Sequence, residues 1–374
     1  RTRRRQRQMC IRDRQNPYAV LAKFTDSAPE NEVQNLLNEI NGSIVEHYPT
    51  SNWYLIETPM GALNAYNYLG GSSVITEVAF DQTISLTAAN TNDPFIGDVW
   101  GLNNIHGVDA ETAWLVSSGA DEVVVAVIDS GVDINHPDLS SIIWTNDNEI
   151  PNNGIDDDSN GYIDDVNGWD FTGEYDNTPQ DEHGHGTHVS GTIAAIRNNS
   201  EGIAGVANNV KIMPLRFLDK DGFGVTSWAI SALEYAVATG AQISNNSWGG
   251  GGYEPALYSA IASAQQQNHL FVAAAGNSGQ NSDINPMYPA AYDLSNIISV
   301  AAINSNGALA GFSNYGVNSV DIAAPGVSIL STMSEDSAAC SSSPPCYSSW
   351  DGTSMAAPHV AGVAALILGL NNQL

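Results

Sequence analysis

Positively charged residues are scarce in this chain of 374 residues. Twelve Lys and Arg residues stand against 41 Asp and Glu residues, which gives a formal net charge of −29 at pH 7. A surface this acidic repels the phosphates of nucleic acids and of anionic lipids. We therefore expect neither nucleic acid nor a membrane as a partner. The acidity fits cation binding, although a well-solvated surface would also explain it.

The few basic residues are unevenly placed. Seven of the twelve lie within residues 1–14, together with one of the three cysteines. Residues 9–14 match the translation of a sequencing-adapter end, so we interpret residues 1–14 as a scar and not as a basic targeting or nucleic-acid arm. Without them, five of the 12 basic and 40 of the 41 acidic residues remain, a formal charge of −35.

Long apolar runs and cysteines are also few. No run approaches the ~20 residues that a membrane-spanning helix needs, and no signal peptide is visible in the sequence. The two cysteines outside the scar, Cys340 and Cys346, flank a short loop containing two prolines. An even pair around a turn favours a small disulfide formed in an oxidising compartment over a metal pair.

Residues 18–85 alternate between short strand-like and helix-like patterns. Extended apolar patterns cover residues 18–24, 44–48, 53–57 and 74–80, and helical spacing covers residues 29–40 and 62–69. The order strand, helix, two strands, helix, strand predicts a small α+β domain of the ferredoxin-like, split βαβ type. Residues 83–93 show no periodicity and are typical of a linker.

Beyond that linker, apolar strands alternate with helices. Uninterrupted Val, Ile and Ala strands separated by helices predict an α/β domain with a parallel, doubly wound sheet covered on both faces. Ligands of such sheets bind at the carboxyl ends of the strands, so polar residues there are candidates for chemistry. The predicted strands are residues 123–128, 210–218, 241–244, 270–275 and 297–303, and the predicted helices are residues 188–196, 227–239 and 254–267.

Ser354 immediately precedes a helical pattern. Val360, Val363, Ala364 and Ile367 recur with the spacing of a buried helix face. The serine therefore lies at a helix N-terminus, where the dipole favours negative charge beside its oxygen. A nucleophile for acyl transfer needs that environment. An ordinary N-cap serine on a core helix is the alternative that the local sequence leaves open.

Three further polar residues fall where such a sheet exposes side chains. Asp129 and Asn277 each follow a predicted strand, and His185 precedes a predicted helix. Alone, the Asp could be a turn former. His185 could bind zinc with His183 and His188, as in an H-x-H-x-D-H run, although Thr replaces the Asp of that motif here. Together with the serine, they supply a base, a carboxylate to orient it and an amide donor.

The segments around these residues resemble the subtilisin family of serine proteases (subtilases), and within it the thermitase-like branch. The resemblance spans about residues 92 to 374, and the order Asp, His, Ser is that of subtilisin. The matching segments are residues 127–132 (VIDSGV), 136–139 (HPDL), 185–191 (HGTHVSG), 246–250 (NSWGG), 274–277 (AAGN) and 352–359 (GTSMAAPH).

The resemblance implies a serine endopeptidase that hydrolyses peptide bonds through an acyl-enzyme. Asp129, His185 and Ser354 would be the triad, and Asn277 would hold the oxyanion together with the Ser354 N–H group. A pseudoprotease that only binds peptides would need a broken triad. A zinc hydrolase would use the histidines in place of the serine.

The same resemblance implies that a protein or peptide substrate binds as an added strand between two segments whose glycines permit close backbone approach. Trp248 and Met287 would lie near the first specificity pocket and favour an apolar or aromatic side chain there. The two segments are Ser247, Trp248 and Gly249 on one side and Gly222, Phe223 and Gly224 on the other.

The acidic stretch at residues 156–165 has the spacing of an EF-hand-like calcium loop. Oxygen-bearing residues stand at loop positions 1, 3, 5 and 9, with glycine at position 6. The bidentate Glu of position 12 is missing, so Asp165 or a residue from elsewhere must complete the ligands. A solvated acidic loop without a metal is the alternative. The predicted donors are Asp156, Asp158, Asn160, the carbonyl of Tyr162, Asp164 and Asp165.

Two further calcium sites are implied by the resemblance to thermitase-like subtilases, which gives an expected total of two to three calcium ions. The first would use the side chains of Asp93, Asp138 and Asn199 with the carbonyl oxygens of Ile196, Glu201 and Ile203. The second would use Asp170 and Asp176 with the carbonyl oxygens of Thr178 and Gln180, although this chain has one extra residue near Glu174.

The resemblance also predicts a role for the N-terminal part of the chain. Residues 15–85 resemble the inhibitor propeptide of subtilases, residues 86–92 would be a linker with the processing site, and residues 93–374 would be the catalytic domain. Cleavage is expected between Thr87 and Asn92. The overall expectation is a secreted, monomeric, self-processing zymogen. Because the catalytic domains of the family usually continue beyond the serine helix, we expect the sequence to be a fragment at both ends.

Overall fold

The computed structural model describes residues 15–25, 27–82, 91–173, 176–340 and 345–370. The chain divides into two compact units after residue 86, and each unit is described by itself. The predicted scar at residues 1–14, residues 83–90 of the predicted linker and Glu174 lie outside the described residues.

The first unit is a four-stranded antiparallel sheet with two helices. The sheet order is β2-β3-β1-β4, the arrangement of the split βαβ class that the sequence predicts. Val20 and Ile56 from the strands are buried together with Leu37 and Leu69 from the helices. The elements are β1 (Gln15–Phe24), α1 (Glu30–Glu39), β2 (Ser43–Tyr48), β3 (Trp53–Glu57), α2 (Ala62–Leu69) and β4 (Ile75–Gln82).

The second unit is built on a seven-stranded parallel sheet. Its strands are β5 (Val124–Asp129), β6 (Trp169–Asp170), β7 (Lys211–Arg216), β8 (Ile243–Asn246), β9 (Leu270–Ala274), β10 (Ile297–Ile303) and β11 (Ile322–Pro325). An antiparallel pair, β12 (Ile329–Met333) and β13 (Cys346–Trp350), lies outside that sheet. The helices are α3 (Trp100–Asn103), α4 (Ala110–Ala113), α5 (His185–Ala194), α6 (Thr226–Ala238), α7 (Pro255–Gln265) and α8 (Thr353–Leu370).

Helices cover both faces of the parallel sheet, which explains why its strands lack polar alternation. Val125 and Val127 of β5 pack in one core cluster with residues of α5 and α8. Val124, Ala126 and Ile128 pack in the other with residues of α6 and α7. The predicted doubly wound α/β class is therefore confirmed.

The strand order β11-β10-β9-β8-β5-β7-β6 reverses direction at β5. Strand β5 pairs with β7 on one side and with β8 on the other, so β6 and β7 lie on one side of β5 and β8 to β11 on the other. Such a reversal opens a crevice at the carboxyl ends of the strands, where ligands bind. Asp129 ends β5 and Ser247 directly follows β8, so both lie at this crevice.

One expectation about apolar runs was wrong. Helix α8 has 18 residues and a mean hydropathy of 1.6, so by length and composition it is apolar enough to cross a membrane. Met355, Ala357 and Ala361 of this helix are buried in the core of the second unit, and 56% of the helix is buried. These are the features of a core helix.

Candidate active site

Asp129 and His185 are in direct contact at the crevice. Asp129 is fully buried, and its Oδ1 accepts a hydrogen bond from His185 Nδ1 at 2.7 Å. Burial lowers the pKa of His185, but the charge of Asp129, its hydrogen bond and the charge of Asp181 outweigh that effect and raise the pKa overall. The contact therefore makes His185 a stronger base.

The start of α5 fixes the position of His185, its first residue. Gly184 has φ 101°, and a Cβ atom there would lie 2.3 Å from Met333 Sδ, so only glycine fits. This left-handed residue lets the helix begin at His185, three residues earlier than predicted. The helix thus presents the imidazole at its end instead of in the preceding loop.

Asp181 is a supporting residue that the sequence analysis missed. Its fully buried carboxylate accepts hydrogen bonds from the N–H groups of His183, Gly184 and Thr187, from Thr187 Oγ1 and from Ser130 Oγ. It therefore caps α5 and ties that helix to the residue next to Asp129. Burial raises the pKa of Asp181, and the hydrogen bonds that its carboxylate accepts favour the ionised form against that effect. The sequence signal that could have indicated this role is the position of an acidic residue shortly before a helix, three residues ahead of Gly184.

Ser354 is the second residue of α8, where backbone N–H groups lack intrahelical partners. Its Oγ donates to the carbonyl oxygen of Ser247 at 2.9 Å, and Ser247 Oγ donates to the carbonyl oxygen of Ser354 at 2.8 Å. The hydroxyl is thus held on Ser247 and not on His185. Catalytic hydrogen bonds of this kind are often long before substrate binds.

Asn277 is oriented by the first residue of α8. Its Oδ1 accepts hydrogen bonds from the N–H group and Oγ1 of Thr353, at 2.8 and 2.9 Å. Because the oxygen is occupied, the Nδ2 group is the end that remains available to a ligand. A donor pair for an oxyanion could therefore consist of Asn277 Nδ2 and the Ser354 N–H group.

A cavity of about 890 Å³ brings most of the predicted catalytic and substrate-binding residues together. Ala229, Leu257, Tyr288 and Tyr292, which the sequence analysis did not single out, also line it. Trp248 contributes to the wall while its ring packs against Phe217 at 4.9 Å. The predicted residues in the lining are His185, Ser354, Asn277, Ser247, Trp248, Gly249, Gly222, Phe223, Gly224 and Met287.

The three histidines of the run 183–188 do not converge on a metal. His188 is fully buried, and its Nε2 lies 3.1 Å from the carbonyl oxygens of Ile329 and Ser348. Burial lowers the pKa of His188 to about 3. In the part of the chain that the structure describes, His, Cys, Asp and Glu ligand atoms converge in threes or more only at Glu149, Asp158 and Asp165.

This acidic group belongs to the predicted loop at residues 156–165. Ligand oxygens of Glu149, Asp158 and Asp165 all lie within 4.8 Å of one another, so Glu149 is the residue from elsewhere that the loop required. Asn160 Nδ2 donates to Asp158 and Asp165. Three carboxylates this close fit a divalent cation with oxygen ligands.

The other predicted donors of the loop accept hydrogen bonds from backbone N–H groups of the loop and of the residues just before it. Asp156 accepts hydrogen bonds from the N–H groups of Asn160 and Gly161. Asp164 accepts from the N–H groups of Asn153 and Gly154. Asn160 Oδ1 accepts from the N–H group of Tyr162. Asp156 and Asp164 therefore shape the loop, whereas Asp158 and Asp165 gather with Glu149.

The predicted site around Asp138 also has a suitable donor set. Asp93 and Asp138 are buried, and Asn199 links them, with its N–H group bonded to Asp93 and its Nδ2 bonded to Asp138. Tyr347 Oη donates to Asp138 at 2.9 Å. Within the described ranges, no backbone N–H group donates to the predicted carbonyl ligands of Ile196, Glu201 and Ile203.

The third predicted calcium site fits less well. Asp170 Oδ2 lies 3.4 Å from Arg216 Nε, and the carbonyl oxygen of Gln180 accepts from Arg216 Nη1 at 3.0 Å. Asp176 Oδ1 accepts from the N–H group of Thr178. A guanidinium group thus already supplies positive charge to two of the four predicted donors.

Comparison with known proteins identifies the family of this chain. Residues 120–374 match the subtilase family. A thermophilic serine proteinase from Bacillus sp. (strain AK1) is 33% identical over 356 residues, which cover 94% of this chain and 79% of that protein. Thermitase from Thermoactinomyces vulgaris is 38% identical over 277 residues, which cover 74% of this chain and 84% of thermitase.

Solved structures agree with the sequence comparisons. A protease from Pseudoalteromonas arctica PAMC 21717 aligns with a TM-score of 0.62 at 33% identity, covering 76% of this chain and 89% of that one. A cold-adapted subtilisin-like serine proteinase aligns with a TM-score of 0.53 at 34% identity, covering 68% and 78%. The chain therefore belongs to the subtilase family and is a thermitase-like serine endopeptidase.

Proposed function

We propose that Asp129, His185 and Ser354 form the catalytic triad with which this endopeptidase cleaves proteins. The observation that carries the proposal is the 2.7 Å contact between Asp129 Oδ1 and His185 Nδ1, beside a cavity that His185 shares with Ser354 and Asn277. A hydroxyl is a weak nucleophile until a base removes its proton. His185 is the base, and Asp129 keeps its Nδ1 protonated.

In acylation, Ser354 Oγ bonds to the scissile carbonyl carbon while its proton moves to His185 Nε2. Asn277 Nδ2 and the Ser354 N–H group donate to the oxyanion that forms; loss of one such donor costs roughly 10²–10³ in kcat, a value known from a subtilisin. The scissile C–N bond then breaks as His185 gives its proton to the leaving amine. Water, deprotonated by His185, hydrolyses the acyl-enzyme.

A serine-directed fluorophosphonate probe tests this proposal. We expect the second unit of the active chain to be labelled at Ser354, the Ser354→Ala chain to remain unlabelled, and both labelling and proteolysis to be lost in His185→Ala. The matched control is Ser263→Ala on the exposed side of α7, which keeps labelling. Labelling that persists in Ser354→Ala would reject the triad. The triad would also be rejected if the Ser354→Ala chain remained proteolytic and a zinc chelator abolished its proteolysis.

We also propose two calcium sites. Glu149, Asp158 and Asp165 would hold one ion, and Asp93, Asp138 and Asn199 would hold the other with the carbonyl oxygens already named. Bound calcium would supply the positive charge that these buried carboxylates lack and would fix the loops that carry them. The charge of −29 and the convergence of three carboxylates support the proposal.

We further propose that the first unit is an inhibitor propeptide that the enzyme removes from itself. On the sheet face opposite to its helices, Leu55, Leu21 and Ala79 lie in register across β3, β1 and β4, and all three are partly exposed. A row of apolar side chains there supports a partner surface. The 356-residue alignment with the thermophilic serine proteinase exceeds the length of the second unit and so reaches into the first.

The processing proposal makes a prediction about the chain ends. We expect N-terminal sequencing of the active enzyme to give a start between Thr87 and Asn92, and the Ser354→Ala chain to stay uncleaved. An active enzyme that still begins before residue 83 would contradict the proposal. The uncleaved Ser354→Ala chain provides the matched control for cleavage by contaminating proteases.

Secretion and a monomeric state complete the proposal. Cys340 and Cys346 form a disulfide, which persists in oxidising compartments. The acidic surface favours solubility and repulsion between copies. Protein and peptide substrates and the enzyme's own propeptide are the partners we propose, with neither nucleic acid nor a membrane among them.

A further inference from the structure

The ring of Trp350 lies close to the proposed base, His185, and to two other histidines. Trp350 is the last residue of β13, four positions before Ser354. Its indole ring stacks on His188 with centroids 5.1 Å apart and planes 10° apart. The ring of His185 lies 6.0 Å from the indole at 32°, and that of His183 lies 6.3 Å away at 78°. One indole thus has three imidazoles around it.

The indole is held by groups that take no part in the proposed chemistry. Trp350 pairs with Ile329 in the β12–β13 register. His188 faces two carbonyl oxygens with its Nε2, those of Ile329 and Ser348, so this nitrogen must carry the proton. Because burial lowers the pKa of His188 to about 3, its ring stays neutral above weakly acidic pH. It therefore fixes the indole without adding charge.

The charges around His185 are few. Asp129 from β5 contacts it, and Asp181 acts from the loop before α5. His183 and His188 are its titratable neighbours along the chain, and β12 contributes no titratable residue. From β7, Arg216 is paired with Asp170 and Glu182. From α8, His359 is buried, and burial lowers its pKa to about 4, so it is neutral.

We propose that Trp350 is a positioning residue for His185: the indole, held by His188 and by the β12–β13 pairing, lies with its centroid 6.0 Å from that of the imidazole and favours the cationic form of the imidazole. A cation within about 6 Å of an indole centroid is attracted by the negative face of the ring. In acylation His185 becomes such a cation, while Asp129 acts only at its Nδ1 edge. A partly exposed contact of this kind changes an equilibrium by a factor of about two to five.

This inference rests on the proposed triad and is tested by the pH dependence of kcat/KM. The variants are Trp350→Leu, which removes the ring, and Trp350→Phe, which keeps a weaker aromatic face. The control is Ser349→Ala, an exposed neighbour on β13. Each chain is assayed with a peptide nitroanilide and with a peptide that extends several residues beyond the scissile bond, after titration of active sites.

We expect Trp350→Leu to lower kcat/KM about two- to fivefold on both substrates, mainly through kcat, and to move the acidic limb of the profile down by about 0.3 to 0.7 pH units, the same factor on a logarithmic scale. Trp350→Phe should show about half of that shift, and it carries the test if the Leu variant does not fold. Ser349→Ala should match the parent.

Two results would overturn the inference. One is an acidic limb that stays in place in both Trp350 variants. The other is a loss confined to the extended peptide or to KM, which would make Trp350 a contact of the leaving segment. Neither result would touch the proposed triad. A parent enzyme without a titrating acidic limb, or without Ser354 labelling, would instead reject the proposed function itself.

Discussion

The basicity of His185 is set by two carboxylates. Asp129 touches its ring, and Asp181 acts from the turn that begins α5. The first could be predicted from sequence because it ends an apolar strand. The second could not, because its role depends on three backbone N–H groups that converge only when the turn before Gly184 has formed.

A pH profile tests this account of His185. Its pKa is raised above the ordinary 6.5, so kcat/KM should fall as the pH drops through a midpoint above 6.5. Asp181→Asn removes a negative charge that favours the imidazolium, so the midpoint should move to lower pH. The same change replaces one acceptor oxygen of a buried network and should lower the free energy of unfolding by about 1–3 kcal/mol.

Thr187→Val separates the two effects of Asp181. It removes the hydroxyl that donates to Asp181 but leaves the charge in place. We expect it to lower the free energy of unfolding without moving the acidic limb of the kcat/KM profile. If Asp181→Asn leaves that limb unchanged, the charge of Asp181 does not act on His185.

Elements with a strong periodic signal were predictable, and those set by distant contacts were not. Five apolar strands of the parallel sheet were located because burial on both faces removes polar alternation. Strands β6, β11, β12 and β13 were missed. They have two to five residues each, and β12 and β13 find each other only across residues 334–345. Helix α5 began earlier than predicted because Gly184 and Asp181 set its first turn.

The β12–β13 pair yields a prediction about the disulfide. Bonding Cys340 to Cys346 closes a loop just before β13, and loop-closure entropy for about seven residues is worth roughly 2 kcal/mol. β13 carries Tyr347, which bonds to Asp138, and Trp350, which stacks on His188. Replacing both cysteines by serine should therefore lower the free energy of unfolding by up to that amount and reduce kcat/KM.

Chemical denaturation with and without a reducing agent measures this effect. Reduction should destabilise the parent and leave the double serine variant unchanged. If reduction of the disulfide changes neither the denaturation midpoint nor the kcat/KM of the parent, β13 is held by its strand pairing alone.

At the scale of the whole molecule, the doubly wound topology made the site predictable. Because parallel strands end at one edge, Asp129, Ser247 and Asn277 could be expected near one another, although they are far apart along the chain. Glu149 could not be expected at the loop 156–165, nor Arg216 at Asp170, since no local pattern announces contacts between distant loops. The same long-range packing gathers three carboxylates within 4.8 Å of one another, and the calcium ions proposed above would offset such charges.

The proposed calcium sites predict that removal of calcium lowers the thermal stability of the enzyme. A ligand at 100 times its dissociation constant stabilises a protein by about 2.7 kcal/mol per site, which for a unit of this size corresponds to roughly 5–10 °C in Tm. Chelation should lower the Tm of the parent by at least that much. The Tm measured with calcium should exceed the Tm measured with chelator, and Glu149→Gln and Asp138→Asn should each reduce this difference by the contribution of one site. Asp121→Asn, which changes an exposed acid outside both sites, should leave the difference unchanged.

Salt distinguishes bound calcium from mere screening. At 1 M NaCl the Debye length falls to about 3 Å, which relieves repulsion between exposed carboxylates. If the acidic loop is only a solvated surface, NaCl should restore the Tm of the chelated enzyme as fully as calcium does, and Glu149→Gln should behave like Asp121→Asn. If buried carboxylates hold the ion, millimolar calcium should restore a stability that molar NaCl cannot, because screening hardly reaches Asp138 and Asp165, which are fully buried.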